Sequence, residues 1–356
     1  MDNSILAFHF NLVRTHPVSQ YEELLLNYNE ELHELIKIQA NLDRKRIYGN
    51  KVFIRGLIEI SNVCKNNCFY CGIRGSNENC QRYSMNHDEI LKCCVDGYDA
   101  GIRTFVLQSG ENDCYDYDSL RFTIGEIKKY CPDCAITLSL GEKSSFVYSM
   151  LFHAGADRYL LRHEAADKEL YEKLHPENMS YENRMECLKN LKKIGFQTGC
   201  GFMVGAPHQT IAHIAKDLKF IEEFMPEMCG IGPFIPHKDT IFANEKAGSV
   251  DFTCFLLSII RHIVPNVLLP ATTALSTLDE YGIEKGILSG ANVIMPNLTP
   301  AYFRNKYDIY DNKYASDKKI ADQIKELQER MEAIGFMVDL SRGDHIKRRY
   351  SFFDKK

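Results

Sequence analysis

The chain has 356 residues, 45% of them hydrophobic and 26% charged, with a net charge of −5. That balance fits an ordinary soluble globular protein, long enough for one large barrel or two smaller domains, and its mild acidity excludes a nucleic-acid or membrane-surface binder driven by charge. Thirteen cysteines, an odd number without a regular ladder, point to a reducing cytoplasm and away from a disulfide framework.

The first segment, "MDNSILAFHFNLVRTHP", has a short apolar run. It has neither a basic region before that run nor a small-residue cleavage site, so it does not read as a signal peptide. No apolar stretch reaches the ~20 residues of a membrane helix. Residues 20–48 carry apolar side chains near helical spacing and predict a helical extension over 1–48. From 49 to about 310, short apolar strands alternate with amphipathic helices. The predicted strands are 52–60, 103–108, 135–140, 157–162, 198–205, 228–235, 266–272 and 292–296. Helices such as "NHDEILKCCVDGYDAG" and "SYENRMECLKNLKKIG" fall between them, and each ends at a glycine. Residues 311–356 predict a C-terminal helical segment followed by a basic tail, "IKRRYSFFDKK", read as a solvated end.

Eight strands separated by helices predict an α/β fold, a parallel (β/α)8 barrel of the TIM type. A doubly wound open sheet is the alternative, since periodicity cannot show closure. Polar phrases follow the strands: the cysteine loop after the first, "QSGEND" after the second, "SLGEK" after the third, "RHEAAD" after the fourth and "ATTALST" after the seventh. In a barrel these gather at the C-terminal rim, where chemistry sits.

The loop "SNVCKNNCFYCGIR" groups Cys64, Cys68 and Cys71. Its polar flanks, Lys65, Asn66 and Asn67, set it apart from a core run of buried cysteines. Four thiolates close a structural zinc site, whereas three leave a metal position open. A zinc ion that borrows Cys80 is one reading. A four-iron cluster on three cysteines is the other, with one iron free to bind a small molecule.

The Cys-x3-Cys-x2-Cys spacing, with Tyr70 before the last cysteine, resembles the radical S-adenosylmethionine (SAM) enzymes. "RYLLRHE" (158–164), "YENRMECLKNLKKIGFQTGCGFMVGAPHQT" (181–210), "GIGPFIPHKDT" (230–240), "PATTALST" (270–277) and "GANVIMPNLTP" (290–300) go further. They resemble the HydE family, the radical SAM maturases of [FeFe]-hydrogenase, within the branch that also holds biotin synthase and methylornithine synthase. The resemblance covers about residues 50–310. It implies one 4Fe–4S cluster on Cys64, Cys68 and Cys71. It implies SAM contacts at Tyr70, Gly110, Glu111, Glu164 and Arg184, and a substrate cavity faced by Ser139, Arg162, Thr272 and Thr273. Read from chemistry alone, Glu164 and Arg184 serve equally well as an ion pair across the rim, and His163 as a structural histidine. Some relatives carry a second cysteine cluster near the C-terminus; here the last cysteine is Cys254, so a single cluster is expected.

The function implied is cytoplasmic maturation of the hydrogenase di-iron site, acting on the sulfur of a cysteine-bearing iron precursor. The partners implied are the maturase that makes this organometallic substrate and the scaffold protein that receives the product, with no nucleic acid or membrane. The rivals are a methylornithine synthase-like lysine mutase and a non-enzymatic metal-binding module. A biotin-synthase role would need a second, sacrificial cluster whose ligands are not evident on the later strands.

Overall fold

Helix α1 (Val18–Leu26) stops at an asparagine-rich turn, and α2 (Glu30–Tyr48) starts where the Asn29 side chain accepts the Leu32 N–H at 2.9 Å. The helix predicted over 20–48 is therefore two, because asparagine caps a helix start better than it continues one. The computed structural model describes residues 16–112, 116–313, 316 and 318–346. The apolar run before residue 16 and all but Ile346 of the basic tail lie outside them.

Strands β1 (Lys51–Ile54) and β2 (Gly56–Ser61) form one bent stave. There follow α3 (His87–Asp99), β3 (Thr104–Ser109), α4 (Tyr117–Tyr130), β4 (Ala135–Ser139), α5 (Ser145–His153), β5 (Arg158–Leu160), α6 (Lys168–Leu174) and α7 (Tyr181–Ile194). Next come β6 (Gln197–Cys200), β7 (Met203–Val204), α8 (Ile211–Phe224), β8 (Met228–Cys229), β9 (Gly232–Pro233), α9 (Val250–Ile263), α10 (Thr273–Leu278) and α11 (Gly282–Leu288). The described chain ends with β10 (Val293–Ile294), α12 (Ala301–Arg304), α13 (Ile320–Ala333) and β11 (Met337–Asp339). The two helices read most clearly from sequence have clear local causes. Asn86 and Glu89 form a reciprocal capping box at the start of α3, and α7 runs from the Ser180 cap to Gly195, whose φ of 108° is left-handed.

Strands β2, β3, β4, β5, β6 and β8 pair in that order, all parallel. The seventh stave is too short to count as a strand. There the Cys229 N–H donates to the Leu268 carbonyl at 3.1 Å, and Pro270 bridges Val293. Pro270 has no N–H to extend the ladder, which is why the strand predicted over 266–272 shrinks to bridges. Strand β10 then pairs with β1, Phe53 opposite Val293. The Leu57 N–H reaches the Pro296 carbonyl at 2.9 Å. The ring closes, so the fold is the eight-stave barrel and the open-sheet alternative falls. Ile58, Ile60, Phe105, Leu107, Ile136 and Leu138 point outward into the layer between staves and helices.

One element was not foreseen. Beyond α13 the segment predicted as helical turns into β11, which pairs in parallel with Lys51–Phe53 at the start of the first stave. Residues 340–346 then seal the bottom of the barrel. Arg342 bonds the Cys134 carbonyl at 2.6 Å and Asp157 at 2.9 Å, while Asp344 pairs with the fully buried Arg158 at 2.8 Å. Cys134, Asp157 and Arg158 all stand at amino-terminal strand ends. A Cβ at Gly343 would come within 2.7 Å of Phe53, and its φ is +55°, so this turn requires glycine. Asp344→Asn leaves the Arg158 charge buried without its partner. It is expected to cost about 3 kcal/mol, read as a lowered urea midpoint with an unchanged slope.

Candidate active site

The cysteine loop leaves the top of β2 and is stitched by its own backbone. Arg82 donates to the carbonyls of Asn62 at 2.8 Å, Ile73 at 2.7 Å and Arg74 at 2.6 Å, and the Gly75 N–H reaches the Asn66 carbonyl at 2.7 Å. Two glycines let other segments close on it. A Cβ at Gly110, just past β3, would meet the Val63 carbonyl at 2.4 Å and the Cys64 Cβ at 2.8 Å. A Cβ at Gly72 would strike the His237 ring at 2.4 Å and the Asp308 carbonyl at 2.2 Å. Neither clash can be relieved by turning a flexible side-chain end, since each involves backbone.

Cys64, Cys68 and Cys71 are free and partly exposed. Cys68, Phe69 and Tyr70 pack on an apolar wall from α6 and the loops beyond, including Leu170, Tyr171, Leu174 and Met179. The Cys68 Sγ lies 3.7 Å from the Met179 sulfur. The Tyr70 hydroxyl is 3.1 Å from His175 Nε2, and His175 Nδ1 is 2.8 Å from the Tyr171 carbonyl. A carbonyl can only accept, so Nδ1 carries the proton and Nε2 accepts from Tyr70. Burial, with the Arg184 charge, pushes His175 down to about 3, which keeps the ring neutral. His175 and Met179 escaped the sequence reading, because "LHPENM" has no spacing that ties it to a loop a hundred residues earlier.

The three thiols are not among the described donor groups whose atoms all lie within 4.8 Å of one another. A tetrahedral zinc with bonds of about 2.3 Å would hold its sulfurs about 3.8 Å apart. A four-iron cluster is larger than one ion and does not require its cysteine sulfurs to converge so closely. Cys80 does not complete a tetrahedron either, and its sulfur takes the Asn62 amide at 3.5 Å.

Above the cysteines the rim is a chain of polar contacts. Glu111 is 8% exposed, and its carboxylate accepts the Glu142 N–H at 2.7 Å and faces Lys65 Nζ at 3.6 Å. The Glu111 carbonyl accepts the Lys65 N–H at 2.7 Å. Glu142 takes Arg184 Nε at 2.5 Å, and Arg184 Nη1 donates to the Arg162 carbonyl at 2.7 Å. Lys65, Glu111, Glu142 and Asn183 line an open cleft of about 810 Å³. Arg184 thus does form an ion pair across the rim. Glu164 is paired more loosely, with Arg162 two residues before it. It has φ +63°, its Oε2 is buried without a hydrogen bond, and Arg162 Nη2 stands 3.5 Å away. A strained backbone that presents an unsatisfied carboxylate is a mark of a binding position. His163, by contrast, accepts the Gly201 N–H at 3.2 Å and meets Asp217 at 3.2 Å with no exposure, a structural role.

Inside the barrel, Arg162 Nε and Nη2, Thr272 Oγ1 and Ser276 Oγ are buried without hydrogen-bond partners. Thr273 lines an adjoining cleft, and Ser139 ends β4 in register with Gln108. The two acids that could have faced inward are committed elsewhere. Glu142 holds Arg184, and Asp167 caps α6 and pairs with Lys216 at 2.6 Å. The sequence reading missed Glu59, Tyr307, Tyr310 and Lys313. Gln108 donates to the Tyr307 hydroxyl at 3.2 Å. Burial pushes the Tyr310 hydroxyl up to about 12 against a Thr277 hydrogen bond, and the charges of both Glu59 and Arg162 act on it.

Gly110→Ala is expected to push the cysteine loop off the end of β3. Iron bound per chain after anaerobic reconstitution should fall at least threefold while far-ultraviolet circular dichroism is unchanged. Full iron content would show that the loop tolerates the displacement.

A model of the radical SAM superfamily matches residues 58–221, from β2 into α8, a span that takes in the cysteine loop, Glu111, Glu164 and Arg184. The chain is 28% identical over 272 residues to 3-methylornithine synthase of Methanosarcina acetivorans, covering 76% of each chain. The solved structure of methylornithine synthase (PylB) superposes with a TM-score of 0.80 at 24% identity, over 93% of this chain and 97% of that one, which shows the common fold. Identity rises to 44% over 308 residues, 86% of each chain, with the [FeFe] hydrogenase maturase subunit HydE of Thermotoga maritima. With that identity over that length, the chain belongs to the radical SAM family of the [FeFe] hydrogenase maturase subunit HydE.

Proposed function

We propose that the protein is a radical SAM enzyme of [FeFe]-hydrogenase maturation that acts on an anionic, cysteine-bearing iron species inside the barrel. The observation that carries the substrate reading is the set of interior donors without hydrogen bonds, a guanidinium and two hydroxyls, which suit an acceptor-rich ligand. A lysine mutase must seat two ammonium groups, and the rim acids Glu142 and Asp167 are already paired.

The enzyme uses a 4Fe–4S cluster and SAM. Together, when bound, they supply one-electron radical chemistry. We assign the cluster to Cys64, Cys68 and Cys71. The apolar wall and the neutral Tyr70–His175 pair keep water from one side of that loop. Glu111 is assigned to the SAM ammonium and Glu164 to ribose hydroxyls, which its free oxygen can accept. Arg184 is assigned to the SAM carboxylate, since its charge acts on both Cys68 and Tyr70. Ser139, Arg162, Thr272 and Thr273 are assigned to substrate. A supplying maturase, a receiving scaffold protein and a cytoplasmic setting belong to the same reading; no described helix is long and apolar enough to cross a membrane.

Reconstituted protein with SAM and a reductant is expected to consume the iron species made by the tyrosine-cleaving maturase and to give no methylornithine from lysine. Formation of methylornithine would overturn the reading. Replacement of Cys68 by alanine should abolish both iron binding and consumption.

Glu164→Ala is expected to weaken SAM binding at least tenfold with iron content unchanged. Arg184→Lys should also weaken it, because an ammonium cannot reach Glu142 and the Arg162 carbonyl together as the planar fork does. Equal SAM affinity in both variants, measured by equilibrium dialysis, would remove these residues from the SAM site.

A further inference from the structure

We infer that Lys313 decides which charge the substrate chamber accepts, by occupying the Glu59 carboxylate that would otherwise receive an ammonium group. The inference rests on the barrel interior being the substrate site.

Glu59 lies on β2 and is 1% exposed. One of its oxygens accepts the Asn297 side-chain amide at 3.0 Å, and the other is paired with Lys313 Nζ. Lys313 arrives from the segment between α12 and α13, 254 residues away. It is held there from a second side, donating to the Tyr307 carbonyl at 3.1 Å with Nζ 4.8 Å from the Tyr307 ring centre. Both partners of Glu59 border open space. Lys313 and Asn297, with Thr273 and Ser276, line a cleft behind which Glu59 is buried. Tyr310, close by on the same segment as Lys313, feels the charges of both Glu59 and Arg162.

With both of its oxygens engaged, Glu59 offers little to an incoming cation. A tethered ammonium also outcompetes a dissolved one, because its effective concentration is on the order of millimolar or higher. Apart from the Glu164 carboxylate, which stands 3.5 Å from Arg162 Nη2, the groups still without hydrogen bonds are Arg162 Nε and Nη2, Thr272 Oγ1 and Ser276 Oγ, all of which can donate. The chamber therefore selects a small ligand bearing a carboxylate or thiolate. Without Lys313, Glu59 becomes a desolvated acceptor facing the same space, and the preference turns toward ammonium groups. Lys313 is a specificity-determining residue; no proton or electron passes through it.

The test is titration calorimetry on the reconstituted, SAM-bound protein with two probes, thioglycolate and 1,4-diaminobutane. The unaltered protein is expected to bind thioglycolate and to give no heat with the diamine. Lys313→Met should gain diamine affinity at least tenfold, Lys313→Arg should keep the original pattern, and adding Glu59→Gln to Lys313→Met should abolish the gain. Lys313→Met with normal iron content and SAM affinity but no diamine binding would overturn the inference. Should Lys313→Met fail to fold, Glu59→Gln alone decides, since it releases the Lys313 charge and should raise thioglycolate affinity at least threefold; unchanged affinity overturns the inference. Methylornithine formation, which would end the maturase reading, is measured separately from either probe.

Discussion

The Glu111 carboxylate is the constraint around which the top of the barrel is built. Its backbone carbonyl holds the cysteine loop through the Lys65 N–H, and its side chain holds the next rim loop through the Glu142 N–H. Gly141 stands against it with φ +74°, and a Cβ there would lie 2.2 Å from its Oε2. From Glu142 the chain continues to Arg184 and on to the Arg162 carbonyl. Four loops from four staves are thus fixed by one run of charged and backbone contacts. Burying such groups costs desolvation energy that good geometry only offsets. What the run provides is position, because Glu164 and Arg162 stand within ångströms of its end and have atoms without partners.

Opposite ends of the barrel are treated differently. At the bottom, Arg158, Arg342, Asp157 and Asp344 satisfy one another, and the chain's own C-terminal segment fills the opening. At the top, donors and acceptors are left over. The same kinds of residue thus close one end and equip the other.

Local features of the sequence were legible because their causes are local. Three cysteines on a polar loop, the amphipathic helix that opens at Asn86 and a glycine stop at Gly195 each need only a few neighbouring residues. The alternation of strands and helices gave the barrel, and closure was the part it could not give. That depends on Pro270 and Leu268 bridging across to Val293 and Cys229, with no strand of their own. Rim positions of the candidate site were legible where a phrase follows its strand directly, as with Glu111, Glu164 and Arg162. It was not legible for His175, whose partner is Tyr70, or for Lys313, whose partner is Glu59. Such pairs are made by the fold and leave no spacing to read. Arg184 makes the ion pair that its chemistry allowed, with Glu142, and its charge also acts on Cys68.

The many cysteines divide by what solution can reach. Among the described residues Cys93, Cys94, Cys131, Cys134, Cys187, Cys200, Cys229 and Cys254 are buried, and only Cys64, Cys68, Cys71 and Cys80 are partly open. Burial pushes Cys93, Cys134 and Cys254 up to about 12, so at neutral pH these are protonated thiols, poor both as nucleophiles and as metal ligands. A protein that handles free iron and sulfide while it is being loaded is therefore insulated from its own sulfur. Of the described cysteines, misdirected metal, stray oxidants and alkylating reagents meet four, all on the loop where β2 opens to the rim, and the packing of the barrel quarantines the other eight.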